Sequence, residues 1–208
     1  FMATLDSSIV NVALPSITAS FKTTLLHSRW VVIAYLFSIT GLLLLFGKLA
    51  DVIGRKVVFN TGYLVFTFGC LICGMSTTID QLIISRGIQG FGAAMLMANG
   101  PALITAAFPS NERGKALGTL AMVVSLWLAI GPPLGGMLVN SFSWPSIFYI
   151  NIPFGLLGAW LVHRHVASTL GMNGTPEELA RLEAEHQLGV LERLRLYVSK
   201  LRYFDWLG

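Results

Sequence analysis

Two ionisable residues, Asp6 and Arg86, sit in stretches of sequence otherwise too apolar to welcome charge. Asp6 opens the run Asp6-Ser7-Ser8-Ile9-Val10-Asn11-Val12-Ala13-Leu14-Pro15, and Arg86 lies within Leu82-Ile83-Ile84-Ser85-Arg86-Gly87-Ile88-Gln89-Gly90. A charged side chain in hydrocarbon costs at least about 2.5–3.5 kcal/mol even on the lenient insertion scale. A carboxylate kept at that cost is a functional hypothesis by default, most often for proton or substrate handling. An arginine in the same setting must snorkel to an interface, pair with a carboxylate or face water. Other chemistries lack their residues. There is no G-x-x-x-x-G-K-[ST] loop to hold ATP phosphates, no Ser/His/Asp arrangement and no cluster with metal-ligand spacing. The expectation is therefore no enzyme, no cofactor and no metal. Cys70 and Cys73 have C-x-x-C spacing but no flanking ligands, and read as small core residues. His163 and His165 flank Arg164 at a helix end and read as interfacial.

The elements that must position Asp6 and Arg86 are membrane spans. The 208 residues are 54% hydrophobic and 12% charged, about half the roughly 25% charge of soluble domains. A net charge of +4 raises nucleic acid as a partner, but the basic residues fall in short segments between apolar runs, which argues against it. A span needs about 20 mostly apolar residues. Six stretches qualify, at about 1–20 (truncated), 29–50, 57–76, 81–108, 116–140 and 146–163, with short connections between them. With the N-terminus inside, the inner side receives Lys48, Arg55, Lys56, Arg113, Lys115 and Arg164, and the outer side Lys22 and Arg29. The excess of Lys and Arg thus predicts a cytoplasmic N-terminus.

Composition shifts after Arg164. Thr175-Pro176-Glu177-Glu178 is a capping box with proline at the first helical position, and Leu179, Leu182, His186, Val190, Leu191, Leu194, Val198 and Leu201 follow at helical spacing. This predicts a cytoplasmic linker at 164–204 with an amphipathic helix at about 175–201, after a bundle at 1–163. Asp205-Trp206-Leu207-Gly208 reads as the start of a further span, and the whole as a fragment of a longer protein.

Three motifs add detail. Gly47-Lys48-Leu49-Ala50-Asp51-Val52-Ile53-Gly54-Arg55-Lys56 joins spans two and three; its glycines permit a tight turn, and Asp51 can accept from a helix N-terminus or a neighbouring arginine. In Arg86-Gly87-Ile88-Gln89-Gly90-Phe91-Gly92-Ala93-Ala94, Gly90 and Ala94 form a small-xxx-small pair that lets helices approach closely. Gly131-Pro132-Pro133-Leu134-Gly135-Gly136 combines prolines that remove backbone donors with glycines suited to tight crossing. The first resembles the G-x-L-A-D-x-x-G-R-K loop of the major facilitator superfamily, with Val52 where that family usually has arginine. The second is similar to R-x-x-Q-G-x-G of proton antiporters, and the third to their G-P-x-x-G-G motif, with Trp127 replacing a glycine upstream. The opening segment resembles the L-D-x-x-I-V-N-V-A-L-P signature of drug:proton antiporters of the fourteen-span type. Trp30-Val31-Val32-Ile33-Ala34-Tyr35 and Phe148-Tyr149-Ile150-Asn151-Ile152-Pro153-Phe154-Gly155 resemble the same subfamily.

The resemblance implies an all-α membrane protein, the six-helix N-terminal half of a major facilitator fold. It implies proton-driven efflux of hydrophobic or cationic small molecules by alternating access at the plasma (inner) membrane, among lipids and against a missing C-terminal half. By the same resemblance Asp6 and Arg86 carry proton coupling. Asn11, Tyr35, Gln89 and Trp127 are expected to line the substrate cavity. Gly47, Asp51, Gly54, Arg55 and Lys56 would form a cytoplasmic gate loop, and Gly131, Pro132, Gly135 and Gly136 the antiporter motif. A transporter of the same fold with a physiological substrate (a lipid, siderophore or amino acid) and a half-length membrane protein that binds a partner are the alternatives.

Overall fold

Every element over residues 2–165, which a computed structural model of the chain describes, is an α-helix. In chain order these are α1 (Met2–Ser20), α2 (Leu25–Ser28), α3 (Trp30–Ile53), α4 (Arg55–Met75), α5 (Ile79–Ala107), α6 (Arg113–Phe142), α7 (Ser146–Tyr149) and α8 (Asn151–His165). The expected amphipathic segment at 175–201 and the further span after Asp205 lie outside the described residues. The stretches Leu25–Ile53, Arg55–Met75, Ile79–Ala107, Arg113–Phe142 and Ser146–Arg164 are long and apolar enough to cross a membrane. The 19-residue α1 would extend about 28 Å at 1.5 Å per residue. Its aspartate, serines and threonines leave it less apolar than those five, and it packs among them.

Two boundaries differ from the sequence expectation. The connection expected at residues 51–56 shrinks to Gly54, because α3 continues to Ile53 and α4 begins at Arg55. Gly54 has φ 100° and ψ 131°, where a Cβ would be strained and glycine is not. The last expected span breaks at Ile150 into α7 and α8. Pro153 has no N–H to offer the Tyr149 carbonyl, so the first short helix ends there.

α5 packs along both α3 and α4, α1 lies on α6, and α8 lies on α4. Glycines allow the α4–α5 approach. A Cβ on Gly92 would stand 2.7 Å from the Phe66 Cα, and one on Gly69 2.7 Å from the Gln89 Cα. The main core joins Leu5, Ile9, Val31, Tyr35, Phe66, Leu82 and Phe148 from five helices, and a smaller cluster of Phe46, Ala50, Val58 and Ala94 closes the end near Gly54. The outward faces carry Phe37, Leu44, Phe68, Met122 and Met137, all well exposed. A bundle with this outer face suits an apolar surrounding rather than water.

Candidate functional site: a buried ionic knot between four helices

On α1 the buried residues Met2, Asp6, Ile9, Ala13 and Ile17 follow helical spacing, and Asp6 is the one ionisable member of that stripe. On α5 the buried face runs Leu82, Arg86, Gln89 and Ala93, so Arg86 and Gln89 project together. The start of α5 is set by Thr78, whose hydroxyl accepts from the Gln81 N–H at 3.3 Å. Val31, Tyr35 and Ile39 form the buried stripe of α3, and Phe66, Cys70 and Cys73 that of α4. The stripe Phe148, Asn151, Gly155, Ala159 and Val162 crosses from α7 into α8, and Asn151 is its polar member. Each polar residue replaces an apolar one on a face that folding turns inward. The polar groups must therefore meet one another.

They do. Arg86 Nη1 donates to Asp6 Oδ2 at 2.5 Å and to Gln89 Oε1 at 2.6 Å, while Arg86 Nε donates to the Val31 carbonyl at 3.1 Å. The other carboxylate oxygen, Asp6 Oδ1, accepts from Gln89 Nε2 at 3.0 Å and from Asn151 Nδ2 at 3.4 Å. The Arg86 guanidinium lies 4.0 Å from the centroid of the Tyr35 ring and 5.8 Å from that of Phe148. Such stacking spreads favourable electrostatics over a desolvated cation. The Tyr35 hydroxyl donates to the Ala3 carbonyl at 3.0 Å, which holds the ring against α1. Asp6, Arg86, Gln89, Asn151 and Tyr35 are all 0% exposed. The knot thus contains a carboxylate and a guanidinium with no water-facing surface.

The structure brings together Asp6, Arg86, Tyr35 and Gln89 from the sequence-derived set, and resolves the alternatives for Arg86 in favour of the carboxylate. Asn11 is exposed on α1, its amide donating to the Ser7 carbonyl at 3.0 Å. Trp127 is half-buried on α6 and packs on the core. Asp51 pairs with Arg55 of the next turn at 3.1 Å, beside Gly54 and far along the chain from the knot; Gly47 and Lys56 are half-buried around it. Gly131 and Gly135 of the antiporter motif are buried against α1, where a Cβ on Gly131 would come 2.7 Å from Ser8 Cβ. Ser8 Oγ donates to the Leu128 carbonyl at 3.1 Å, so the helix bearing Asp6 is seated on this motif. Pro132 is exposed and Gly136 half-buried on the same helix.

Sequence reasoning missed Asn151 and the two cysteines. Cys70 Sγ accepts from Gln89 Nε2 at 3.0 Å, and the Cys73 thiol donates to Gln89 Oε1 at 3.6 Å, so both thiols orient the glutamine amide rather than merely fill space. Asn151 could have been found as a lone amide in an apolar helical stripe, by the same signal that marks Asp6.

Known proteins share this arrangement of helices. A model of the Major Facilitator Superfamily matches residues 1–202. The chain belongs to that superfamily. Among its curated relatives is the riboflavin transporter RibZ of Clostridioides difficile, 45% identical over 161 residues, which cover 77% of this chain and 35% of RibZ. The methylenomycin A resistance protein of Streptomyces coelicolor is 39% identical, over 81% of this chain and 36% of its own length. The putative multidrug resistance protein MdtD of Pectobacterium atrosepticum is 42% identical, over 76% and 34%. The chain thus spans about a third of the length of the curated relatives it matches. A solved peptide transporter, POT in complex with sulfate, shares the fold with a TM-score of 0.68 at 14% identity, over 99% of this chain and 46% of that one. The chain is a multi-pass membrane segment of the transporter superfamily, helical throughout its described residues apart from short connections.

Proposed function

We propose that this chain is the N-terminal bundle of a proton-driven exporter of hydrophobic or cationic small molecules, with Asp6 as the group that takes up the proton and Arg86 as its electrostatic counterpart. The observation that carries this reading is the Asp6–Arg86 ion pair, fully desolvated between membrane-spanning helices. Protonation of Asp6 changes the knot from neutral to a single positive charge held by Gln89, the Val31 carbonyl and the Tyr35 ring. Such a change alters how α1 and α5 hold each other, and transporters of this architecture rock around a midplane site. Each elementary charge moved across the membrane gains about 2.3 kcal/mol per 100 mV, enough to bias two states. The seating of α1 on Gly131 and Gly135 gives α6 a means of sensing that shift. Asp51 and Arg55 would clasp the cytoplasmic corner, Asn11 and Trp127 would face substrate, and the remaining helices of the full-length protein would supply the other wall of the cavity. The N-terminus would be cytoplasmic and the membrane the plasma (inner) membrane.

The relatives named for methylenomycin A and multidrug resistance support export of foreign compounds. A second reading, transport of a physiological metabolite, is favoured by the similarity to RibZ. Both are tested in everted membrane vesicles containing the full-length protein, by following the collapse of an imposed proton gradient on adding a cationic dye or riboflavin. The proposed exporter releases protons with the dye and Asp6→Asn abolishes the response. An intact response in Asp6→Asn would remove Asp6 as the coupling group, and a response to riboflavin alone would favour the second reading.

A further inference from the structure

The two oxygens of Asp6 are held differently, and Asn151 is the reason. Oδ2 faces the guanidinium, whereas Oδ1 receives two neutral amides, from Gln89 at 3.0 Å and Asn151 at 3.4 Å. When a proton reaches the carboxylate, Oδ2 cannot readily take it, because Arg86 presents a cation there. A proton on Oδ1 needs an acceptor in place of an amide donor. The Gln89 carbonyl is already occupied by Arg86 Nη1 at 2.6 Å and by the Cys73 thiol. The Asn151 carbonyl, Oδ1, is buried and without a hydrogen-bond partner among the described residues. Its amide, Nδ2, also donates to the Ile147 carbonyl at 3.2 Å, one turn back across the α7–α8 break.

We propose that Asn151 is a positioning residue that serves both protonation states of Asp6, donating through Nδ2 to the carboxylate and accepting through Oδ1 from the carboxylic acid. The exchange needs only rotation of the carboxamide. An N–H···O⁻ bond is replaced by an O–H···O=C bond, the proton being the one taken up from water. Because rotation also carries Nδ2 away from the Ile147 carbonyl, the α7–α8 junction loses a bond when Asp6 is protonated. A proton bound on α1 is thereby felt at the first turn of α8. The ionisable groups around Asp6 are Arg86 on α5, Tyr35 on α3 and Cys70 and Cys73 on α4. α6 after Lys115 and α8 before His163 contain no Asp, Glu, Lys, Arg or His, and α7 adds only Tyr149. Among the described residues the groups hydrogen-bonded to Asp6 Oδ1 are Gln89 and Asn151, and of these two only Asn151 has a free carbonyl.

This inference rests on Asp6 taking up the transported proton, and one experiment separates the two claims. Infrared difference spectra between low and high pH are recorded on the full-length protein in phosphatidylethanolamine–phosphatidylglycerol vesicles. The carboxylic acid band lost in Asp6→Asn is assigned to Asp6. In Asn151→Leu that band shifts to higher frequency, since its O–H has lost an acceptor, and Asn151→Gln returns it toward the parent position. Asn151→Ala gives the same reading should leucine not be accepted by the fold. A band that stays in place in the Leu and Ala variants overturns the role of Asn151 alone, including the case where only the half-protonation pH rises, as for a partner of the carboxylate form only. If Asp6→Asn removes no band, Asp6 takes up no proton, and the coupling reading falls together with this inference.

Discussion

The described residues contain two Asp–Arg pairs of opposite character. Asp51 and Arg55 are four residues apart on either side of Gly54, with side chains 62% and 32% exposed. Asp6 and Arg86 are 80 residues apart and both 0% exposed. The first pair is local, wet and nearly free to dissolve. The second exists only because four helices converge, and neither partner can find water if the other leaves. Chemical identity is the same, so the difference lies in burial and in the groups that surround each pair. An exposed pair gains little over hydration, whereas breaking a buried one strands a charge in low dielectric.

That contrast can be broken most directly at the buried pair. Asp6→Leu should lower the stability of the full-length protein by about 3–5 kcal/mol, because Arg86 is left uncompensated. Adding Arg86→Met should recover most of that loss while transport stays dead, since an apolar replacement of the whole pair carries no desolvation cost. Denaturant unfolding in detergent micelles measures both, and a single-variant loss below about 1 kcal/mol would mean that the pair is wetted like Asp51–Arg55. Next in size, Gly131→Ala should destabilise by about 1–3 kcal/mol, since its Cβ would press on Ser8 and push α1 from its seat. Thermal unfolding of the same preparation checks this, and unchanged stability would show that α1 shifts without cost. The smallest effect belongs to Asp51→Asn, expected to change stability by less than about 0.5 kcal/mol and to lose even that in high salt. A larger or salt-independent effect would show that the corner pair is shielded in the full-length protein, and the two pairs would then differ in degree only.

Much of the fold was legible because hydrocarbon demands long apolar helices, and five of the six expected stretches meet that demand by length and composition. Boundaries were less legible. The connection at 51–56 collapsed onto Gly54 because charged residues can stand on the ends of helices without ending them, and the break at Ile150 follows from one missing N–H three residues later. Within the site, Asp6 and Arg86 stood out because each violates an apolar run. Asn151 interrupts one too, but an uncharged amide costs less in hydrocarbon than a charge and is the weaker signal. Cys70 and Cys73 gave no such signal, since cysteine is at home in a core and only its contact with Gln89 shows the second use.

By itself, the sequence determined that this chain lives in a membrane, that its spans are helices, and that a carboxylate and a guanidinium fall within apolar stretches at known places along two of them. Those facts follow from composition and period, which are local properties. Only the tertiary structure decided that the two charges meet, which carboxylate oxygen faces which donor, and that an amide from α8 completes the set. Those facts depend on how stripes from separate helices converge. No rule of spacing along one chain specifies the distance between residues 80 or 145 positions apart.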